Sequence, residues 1–248
     1  MKEPEANPSS KKLVYFFAVF VLVVFSIGLF IILFSNSPNL DSPKYLDIET
    51  TSGSNTYSFE PNSAWITIFT KNYQEVADFL ELKNPKQADS ESALKYLYSL
   101  DQDDPEFAKS TFVSADYGGW TFITSNNLAL WSEESDVYEL LKELSVKFGF
   151  VYSFGADDES GFFEWSKFKN GEAQRVFVKY QNEILVDTGP IYPIEDLIKM
   201  KKEKLSPNDW RLELNSKDLV EIADFMSISP TNLERFNDSY DGYIGILE

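Results

Sequence analysis

The sequence contains no cysteine and no histidine among its 248 residues. Without cysteine the chain has no disulfide, no thiol nucleophile and no zinc finger. Without histidine it has no Ser-His-Asp triad, no imidazole general base and no ordinary transition-metal site. We therefore expect no cofactor, and we expect any chemistry to rest on carboxylates, hydroxyls, lysine, arginine or tyrosine.

Positive charge is also scarce. The chain has 22 lysines and arginines against 40 aspartates and glutamates, which gives a net charge of −18. Because phosphate binding needs a basic surface, we expect no nucleic-acid partner. At 43% apolar and 16% aromatic residues, the composition is that of a folding chain.

One apolar run near the N-terminus is long enough to cross a membrane. Residues 13–34 carry no charged side chain, and as a helix they would extend about 33 Å, which matches a bilayer core. A buried core helix would normally have a polar face, which this run lacks. A cleaved signal peptide has an apolar region of about 7–15 residues, and this one is longer. The sequence predicts an uncleaved transmembrane helix.

Charge next to this helix predicts its orientation. Lys11 and Lys12 precede the apolar run, whereas residues 35–40 carry no charge. The positive-inside rule therefore places the N-terminus in the cytoplasm and the remaining chain outside it. The expected protein is single-pass, with the lipid bilayer as partner of residues 13–34, in the cell membrane if the source is bacterial.

The rest of the chain divides into a tether and a folded domain. We expect residues 1–12 to form a cytoplasmic tail, residues 35–60 a flexible linker rich in Ser, Asn, Pro and Gly, and residues 61–248 one ectodomain. Residues 45–248 hold 18 basic and 37 acidic residues, a net charge of −19. The acidity is therefore expected on the outer side of the membrane.

Periodicity in the ectodomain predicts an α+β fold, in which an antiparallel β-meander has helices packed on one side. Asn170-Gly171 between two alternating runs is the strongest hairpin signal in the chain. The predicted strands are 65–69, a hairpin over 119–131 that turns at Asn126-Asn127, 150–154, 162–169, 172–180, 183–188 and an edge strand at 243–247. The predicted helices begin at the cap Asn72, at Glu91, at the cap Ser132, at Pro193 and at the cap Ser216.

Short motifs occur along the ectodomain: Gly119-Trp120-Thr121, Leu141–Ser145, Glu164-Trp165, Asn170-Gly171, Arg175, Gly189 with Glu195, Ile222-Ala223 and Ile228-Ser229-Pro230. Together they resemble those of a bacterial family of uncharacterised single-domain α+β proteins. The resemblance spans about residues 62–245, and some members look like immunity proteins. It implies the fold, is compatible with an acidic binding surface and implies no particular enzymatic activity. The predicted membrane anchor departs from the soluble pattern of the family.

Five residues are candidates for a binding site: Trp120, Trp131, Trp165, Glu164 and Arg175. The tryptophans could line a sugar or peptide groove, although aromatics at alternating strand positions are more often core residues. Glu164 could form a glycosidase pair with a second carboxylate, although a solvated surface carboxylate is the commoner outcome. Arg175 could form a structural salt bridge with Glu164 across the Asn170-Gly171 hairpin. The possible second carboxylates are Glu134, Asp136, Asp187 and Glu195.

The tail from Asn237 contains a partial EF-hand pattern. Asn237, Ser239, Asp241 and Glu248 occupy ligand positions 1, 3, 5 and 12. The first position is Asn instead of the usual Asp, and no exiting helix follows Glu248 to hold the bidentate ligand. We therefore expect no metal site, and we interpret the segment as a turn followed by an edge strand.

The sequence thus favours a membrane-anchored binding module outside the cytoplasm and not an enzyme. Its acidic surface predicts a basic protein partner, and the module could act as an immunity protein or inhibitor. An envelope-associated structural domain and a carboxylate-dependent glycan hydrolase are the alternatives. A deep cleft with two carboxyl groups about 5–10 Å apart would favour the hydrolase, and a flat acidic patch with central aromatics would favour the binding module.

Overall fold

A computed structural model describes residues 63–204, 209–229 and 241–247. Within these residues, nine strands form one sheet in which every pair of neighbours is antiparallel. The strands are β1 (Ala64–Ile68), β2 (Lys83–Asp89), β3 (Ser110–Ser114), β4 (Thr121–Ser125), β5 (Phe150–Asp157), β6 (Phe162–Lys169), β7 (Glu172–Tyr180), β8 (Glu183–Thr188) and β9 (Asp241–Ile246).

The order of strands in the sheet is β2-β9-β3-β4-β1-β5-β6-β7-β8. The predicted meander is confirmed, since β5 to β8 are neighbours in sequence order. Asn170 and Gly171 both have positive φ, as the tight turn between β6 and β7 requires. The interpretation of the last strand as an edge strand is wrong, because β9 lies between β2 and β3 and pairs with both.

Five α-helices and one short 3₁₀-helix lie within the described residues, and the helix predictions are confirmed with small shifts at their ends. Asn72 caps the first helix, where it accepts a hydrogen bond from the backbone N–H of Glu75. The cap of the third helix is Ser135 and not Ser132, and Gly149 ends that helix as predicted. The helices are α1 (Tyr73–Phe79), α2 (Ser90–Ser99), α3 (Asp136–Phe148), α4 (Pro193–Glu203), the 3₁₀-helix Trp210–Glu213 and α5 (Ser216–Met226).

The helices pack on both faces of the sheet, so the prediction of helices on one side is wrong. The physical reason is that the central strands are apolar on both faces: successive residues Trp65 and Ile66 of β1 are both fully buried and belong to different core clusters. We call the side covered by α1 and α3 the α3 face, and the side covered by α2, α4 and α5 the α5 face. The coarser prediction, an α+β protein with an antiparallel sheet, is confirmed.

Residues 126–131 do not form the second strand of a hairpin. Asn126 and Asn127 lie in a turn as predicted, but β4 pairs with β1 and β3 instead. The following segment lies on the α3 face, where Leu128 and Leu130 are buried in the core. Its alternating apolar residues, which resemble a strand, serve to anchor a loop.

No helix in the described part of the chain is long and apolar enough to span a membrane. The predicted transmembrane helix 13–34, the tail 1–12 and the linker 35–60 lie outside the described residues. Of the EF-hand candidates, Asn237, Ser239 and Glu248 also lie outside them, and Asp241 is the first residue of β9.

Candidate binding surface around Trp131

A row of four side-chain positions crosses the meander at one end of the α3 face. Asp157 of β5 is opposite Phe162 of β6, and Tyr180 of β7 is opposite Glu183 of β8. Phe162 and Tyr180 are neighbours as well, because the adjacent pair in the register is Phe163 with Lys179. Two aromatic residues therefore occupy the centre of this row, and one carboxylate stands on either side.

Trp131 lies over the two central rings. Its ring centroid is 4.3 Å from that of Phe162, with an interplanar angle of 34°, and 5.5 Å from that of Tyr180, which it meets edge-on. Phe162 is buried, whereas Trp131 is 46% exposed. We call Trp131, Phe162 and Tyr180 the Trp131 platform. Leu130 is fully buried next to it and fixes the backbone there, so the indole is presented to solvent at little entropic cost.

Four carboxylates lie next to the Trp131 platform, Asp157 and Glu183 at the two ends of the row and Glu133 and Glu134 just after Trp131 in the chain. Glu133, Glu134 and Glu183 are exposed, and Asp157 is half-buried. We call these four residues the acidic rim. Asp157 Oδ1 accepts hydrogen bonds from the backbone N–H groups of Glu159 and Ser160, which fixes the turn between β5 and β6. The cation–aromatic contacts of the described residues involve rings outside the platform.

Glu164 lies one row further into the sheet on the same α3 face and is fully buried. The Ser153 hydroxyl donates a hydrogen bond to Oε1 at 2.8 Å, and Oε2 has no hydrogen-bond partner of normal geometry among the described residues. Burial raises the pKa of Glu164 to about 8, although the hydrogen bonds from Ser153 and the Leu130 backbone act against that shift. The interpretation of Glu164 as a solvated surface carboxylate is therefore wrong.

The opposite cross-strand neighbour of Glu164 is Gly155. A Cβ atom at Gly155 would lie 3.0 Å from Glu164 Cγ and 3.1 Å from Oε1. The carboxyl group thus occupies space that the absent side chain leaves, and its neighbours on the sheet, Ser153 and Val178, are uncharged. A carboxyl in these surroundings is stable in its protonated form.

Arg175 is buried on the α5 face and not on the face of Glu164, so the predicted salt bridge between them is wrong. Its guanidinium binds both carboxylate oxygens of Glu195 on α4, through Nε at 3.0 Å and Nη2 at 2.6 Å. Nη1 binds Asp187 at 2.6 Å and the carbonyl of Thr188 at 2.9 Å. Arg175 therefore links α4 to β7 and β8 through these hydrogen bonds.

The same geometry separates Glu164 from two of the carboxylates that could have formed a glycosidase pair with it. Glu195 and Asp187 contact Arg175 on the α5 face, whereas Glu164 lies on the α3 face with the sheet between them. Neither residue can share a cleft with Glu164. Three concave regions of the described residues, of about 400, 350 and 460 Å³, are lined by other residues than Glu164 and Trp131.

The three candidate tryptophans lie at three separate places. Trp165 is fully buried and stacks on Phe177 at 4.0 Å, so it is a core residue. Trp120 is half-buried on the α5 face, where its ring meets Phe69 and Tyr152 edge-on. Of these three tryptophans, only Trp131 is exposed.

Sequence reasoning missed Phe162 and Tyr180, which form the base under Trp131. The signal was available in the Asn170-Gly171 hairpin, because a hairpin brings the start of β6 opposite the end of β7. The loop that places Trp131 over them carried no comparable signal.

No group of three or more acidic side chains in residues 63–204, 209–229 and 241–247 could hold a metal ion. In comparisons with protein-family models, curated proteins and solved structures, the chain matches none.

Proposed function

We propose that this protein is a membrane-anchored binding module outside the cytoplasm, and that the Trp131 platform with its acidic rim contacts a basic protein. One observation carries the proposal: a large aromatic side chain, 46% exposed, packs on the buried ring of Phe162 in a row that has a carboxylate at each end. Rigid exposed tryptophans of this kind dominate the binding energy of protein interfaces.

The charge of the chain supports a basic partner. With −18 over the whole sequence, long-range attraction accelerates encounters with basic proteins and slows encounters with acidic ones. An immunity protein or inhibitor that binds a basic toxin or enzyme at the cell surface is the specific form of this proposal.

The edges of the sheet support contact through the platform and not through strand addition. The register between β7 and β8 shifts at a β-bulge: Val178 pairs with Val186 and Lys179 pairs with Ile184, so Leu185 of β8 has no opposite residue. In β2 the register shifts around Pro85, which has no N–H to donate. Bulges and prolines at edge strands prevent pairing with another strand.

The topology gives a first prediction. A reporter enzyme fused after Glu248 should be active only if it functions outside the cytoplasm, and the mature chain should keep its N-terminus. The physical reason is the apolar run 13–34 with Lys11 and Lys12 before it. Protein sequencing that finds a mature N-terminus near Pro38 would contradict the anchor and leave a secreted domain.

The binding surface gives a second prediction. A photo-crosslinker placed at Asn182, an exposed turn residue next to Glu183, in cells that express the full chain, should capture a basic protein that can then be identified and purified. Its association rate with the full chain should fall steeply from low to physiological salt, since salt screens the acidic rim over about 8–10 Å. Its dissociation rate should change little with salt, because short-range packing controls that step.

Substitutions then test the site itself. Trp131→Ala should raise the dissociation rate about tenfold to hundredfold, as for an interface hot spot. Phe69→Ala is the matched control, because Phe69 is an exposed aromatic on the other face. The proposed function is refuted if the captured partner is acidic. It is also refuted if the partner dissociates at the same rate from Trp131→Ala and from Phe69→Ala.

A further inference from the structure

We propose that the Trp131 platform binds an arginine side chain of the partner, with the guanidinium plane on the open side of the Trp131 indole between Asp157 and Glu183. This inference rests on the proposed function, since it names the chemical group that the same surface recognises.

The orientation of the rings favours binding of a cation on Trp131. Trp131 packs one side of its indole on Phe162 and meets Tyr180 edge-on, while nearly half of its surface stays exposed. The face of an aromatic ring is electronegative and attracts cations, most strongly for tryptophan. Within the described residues the cation–aromatic contacts involve other rings, so none of these cations occupies the Trp131 indole.

Two carboxylates flank these rings along the same row of the sheet. Asp157 and Glu183 stand at the two ends of the row whose centre is Phe162 and Tyr180. Because neighbouring strands are about 4.8 Å apart, the backbones of the two acidic residues are about 14 Å apart. Trp131 lies over the two central rings, so a cation on the outer side of its indole would have one of these carboxylates in each direction along the row.

The protein contains one guanidinium that lies against a Trp–Phe pair and binds two carboxylates. On the α5 face, Trp165 and Phe177 stack at 4.0 Å, and the guanidinium carbon of Arg175 lies beside the two rings, 6.0 and 5.8 Å from their centroids. Two carboxylates, Glu195 and Asp187, bind that guanidinium. The Trp131 platform offers the same kinds of group, a Trp–Phe pair at 4.3 Å tilted by 34° and a carboxylate at each end of its row.

The chemistry of the two basic side chains favours arginine over lysine at this surface. A guanidinium is flat, stacks on an indole and binds a carboxylate through two parallel hydrogen bonds, whereas an ammonium is a compact and strongly hydrated point charge. At an open aromatic surface the difference is expected to be about threefold to tenfold in affinity. Charge attraction alone would give equal affinities.

The test uses two peptides of equal length and charge, one of arginine and one of lysine. Each peptide is titrated into the full chain in detergent at physiological salt. The arginine peptide should bind about threefold to tenfold more tightly and should change the fluorescence of Trp131. Trp131→Ala should abolish this preference, and Trp131→Phe should keep part of it. Phe69→Ala, the control at the other exposed aromatic, should leave the preference unchanged.

The carboxylates are tested by neutral replacements that keep the side-chain shape. Asp157→Asn combined with Glu183→Gln should remove most of the arginine preference, whereas Glu143→Gln, an exposed carboxylate on α3 outside the rim, should not. Circular dichroism of each variant confirms that it folds.

The outcomes separate this inference from the proposed function. If the crosslinked partner depends on Trp131 while the two peptides bind equally, the guanidinium site is refuted and the binding module stands. If the arginine preference depends on Trp131 while the crosslinked partner does not, the guanidinium site stands and the proposed function fails. Equal binding of both peptides to the parent and to Trp131→Ala overturns the inference.

Discussion

Replacement of Glu164 by glutamine should make the protein much less sensitive to alkaline pH. Glu164 is fully buried, and burial raises the pKa of its carboxyl to about 8 from an ordinary 4.5. The folded chain therefore keeps this proton over a pH range in which the unfolded chain has lost it. Glutamine has nearly the same shape and no proton to lose.

The direction in which the free energy of unfolding changes with pH follows from the number of protons that each state binds. Between pH 4.5 and about 8 the folded state binds more protons at this site than the unfolded state, so the free energy of unfolding decreases as pH rises. The contribution is fully present below pH 4.5 and is lost once the pH passes about 8. At about 1.4 kcal/mol per pH unit, the loss is on the order of 3–5 kcal/mol over the whole range.

Chemical denaturation at several pH values, followed by the fluorescence of the buried Trp65 and Trp165, measures this effect. The difference in unfolding free energy between Glu164→Gln and the parent should grow in favour of the variant as pH rises. The exposed Glu143→Gln is the control for the change from carboxylate to amide, and it should alter the free energy of unfolding by no more than about 0.5 kcal/mol, as surface substitutions usually do. A difference between Glu164→Gln and the parent that stays constant as pH rises would refute the raised pKa of Glu164.

Replacement of Arg175 by alanine should destabilise the fold by about 3–5 kcal/mol. The guanidinium neutralises Glu195, which is fully buried, and also binds Asp187. Burial alone would lower the pKa of Arg175, but Glu195 and Asp187 raise it above its ordinary value. Loss of the cation leaves a buried carboxylate with no compensating charge, and such charges are costly.

Arg211→Ala provides the matched control, because Arg211 binds the same Asp187 from a position in which its side chain is 30% exposed. A solvent-exposed ion pair contributes about 0–1 kcal/mol, so we expect a change in that range. Joint replacement of Arg175 by methionine and Glu195 by leucine should recover part of the loss. Equal effects of Arg175→Ala and Arg211→Ala in chemical denaturation would refute a special role for the buried pair.

Local signals in the sequence predict the elements of this fold well. The Asn170-Gly171 turn fixes the meander, and Asn72 and Gly149 mark helix ends because capping depends only on neighbouring residues. The strands β2 and β3 were missed for the opposite reason: Asn84 and Pro85 interrupt β2, and β3 is short. Their pairing depends on β9, which is distant in the chain.

The site was harder to predict than the elements. Trp131 and Glu164 were both candidates, but sequence alone could not say that a loop carries one to the surface while the sheet buries the other. Arg175 and Glu164 are separated because their positions on β7 and β6 point to opposite faces, and the β-bulge near Lys167 shifts the register between these strands. Which face a strand residue occupies is decided by pairing, and pairing is a tertiary property.

The position of β9 sets the order in which the chain can fold. This strand begins at residue 241, whereas its neighbours β2 and β3 end at residues 89 and 114. Until β9 arrives, β2 has no neighbour in the sheet and one side of β3 is open, while β5 to β8 can already pair as local hairpins. Closing so long a loop is slow, and open strands invite association with other chains. During synthesis β2 and β3 are therefore open to association with other chains until β9 is released.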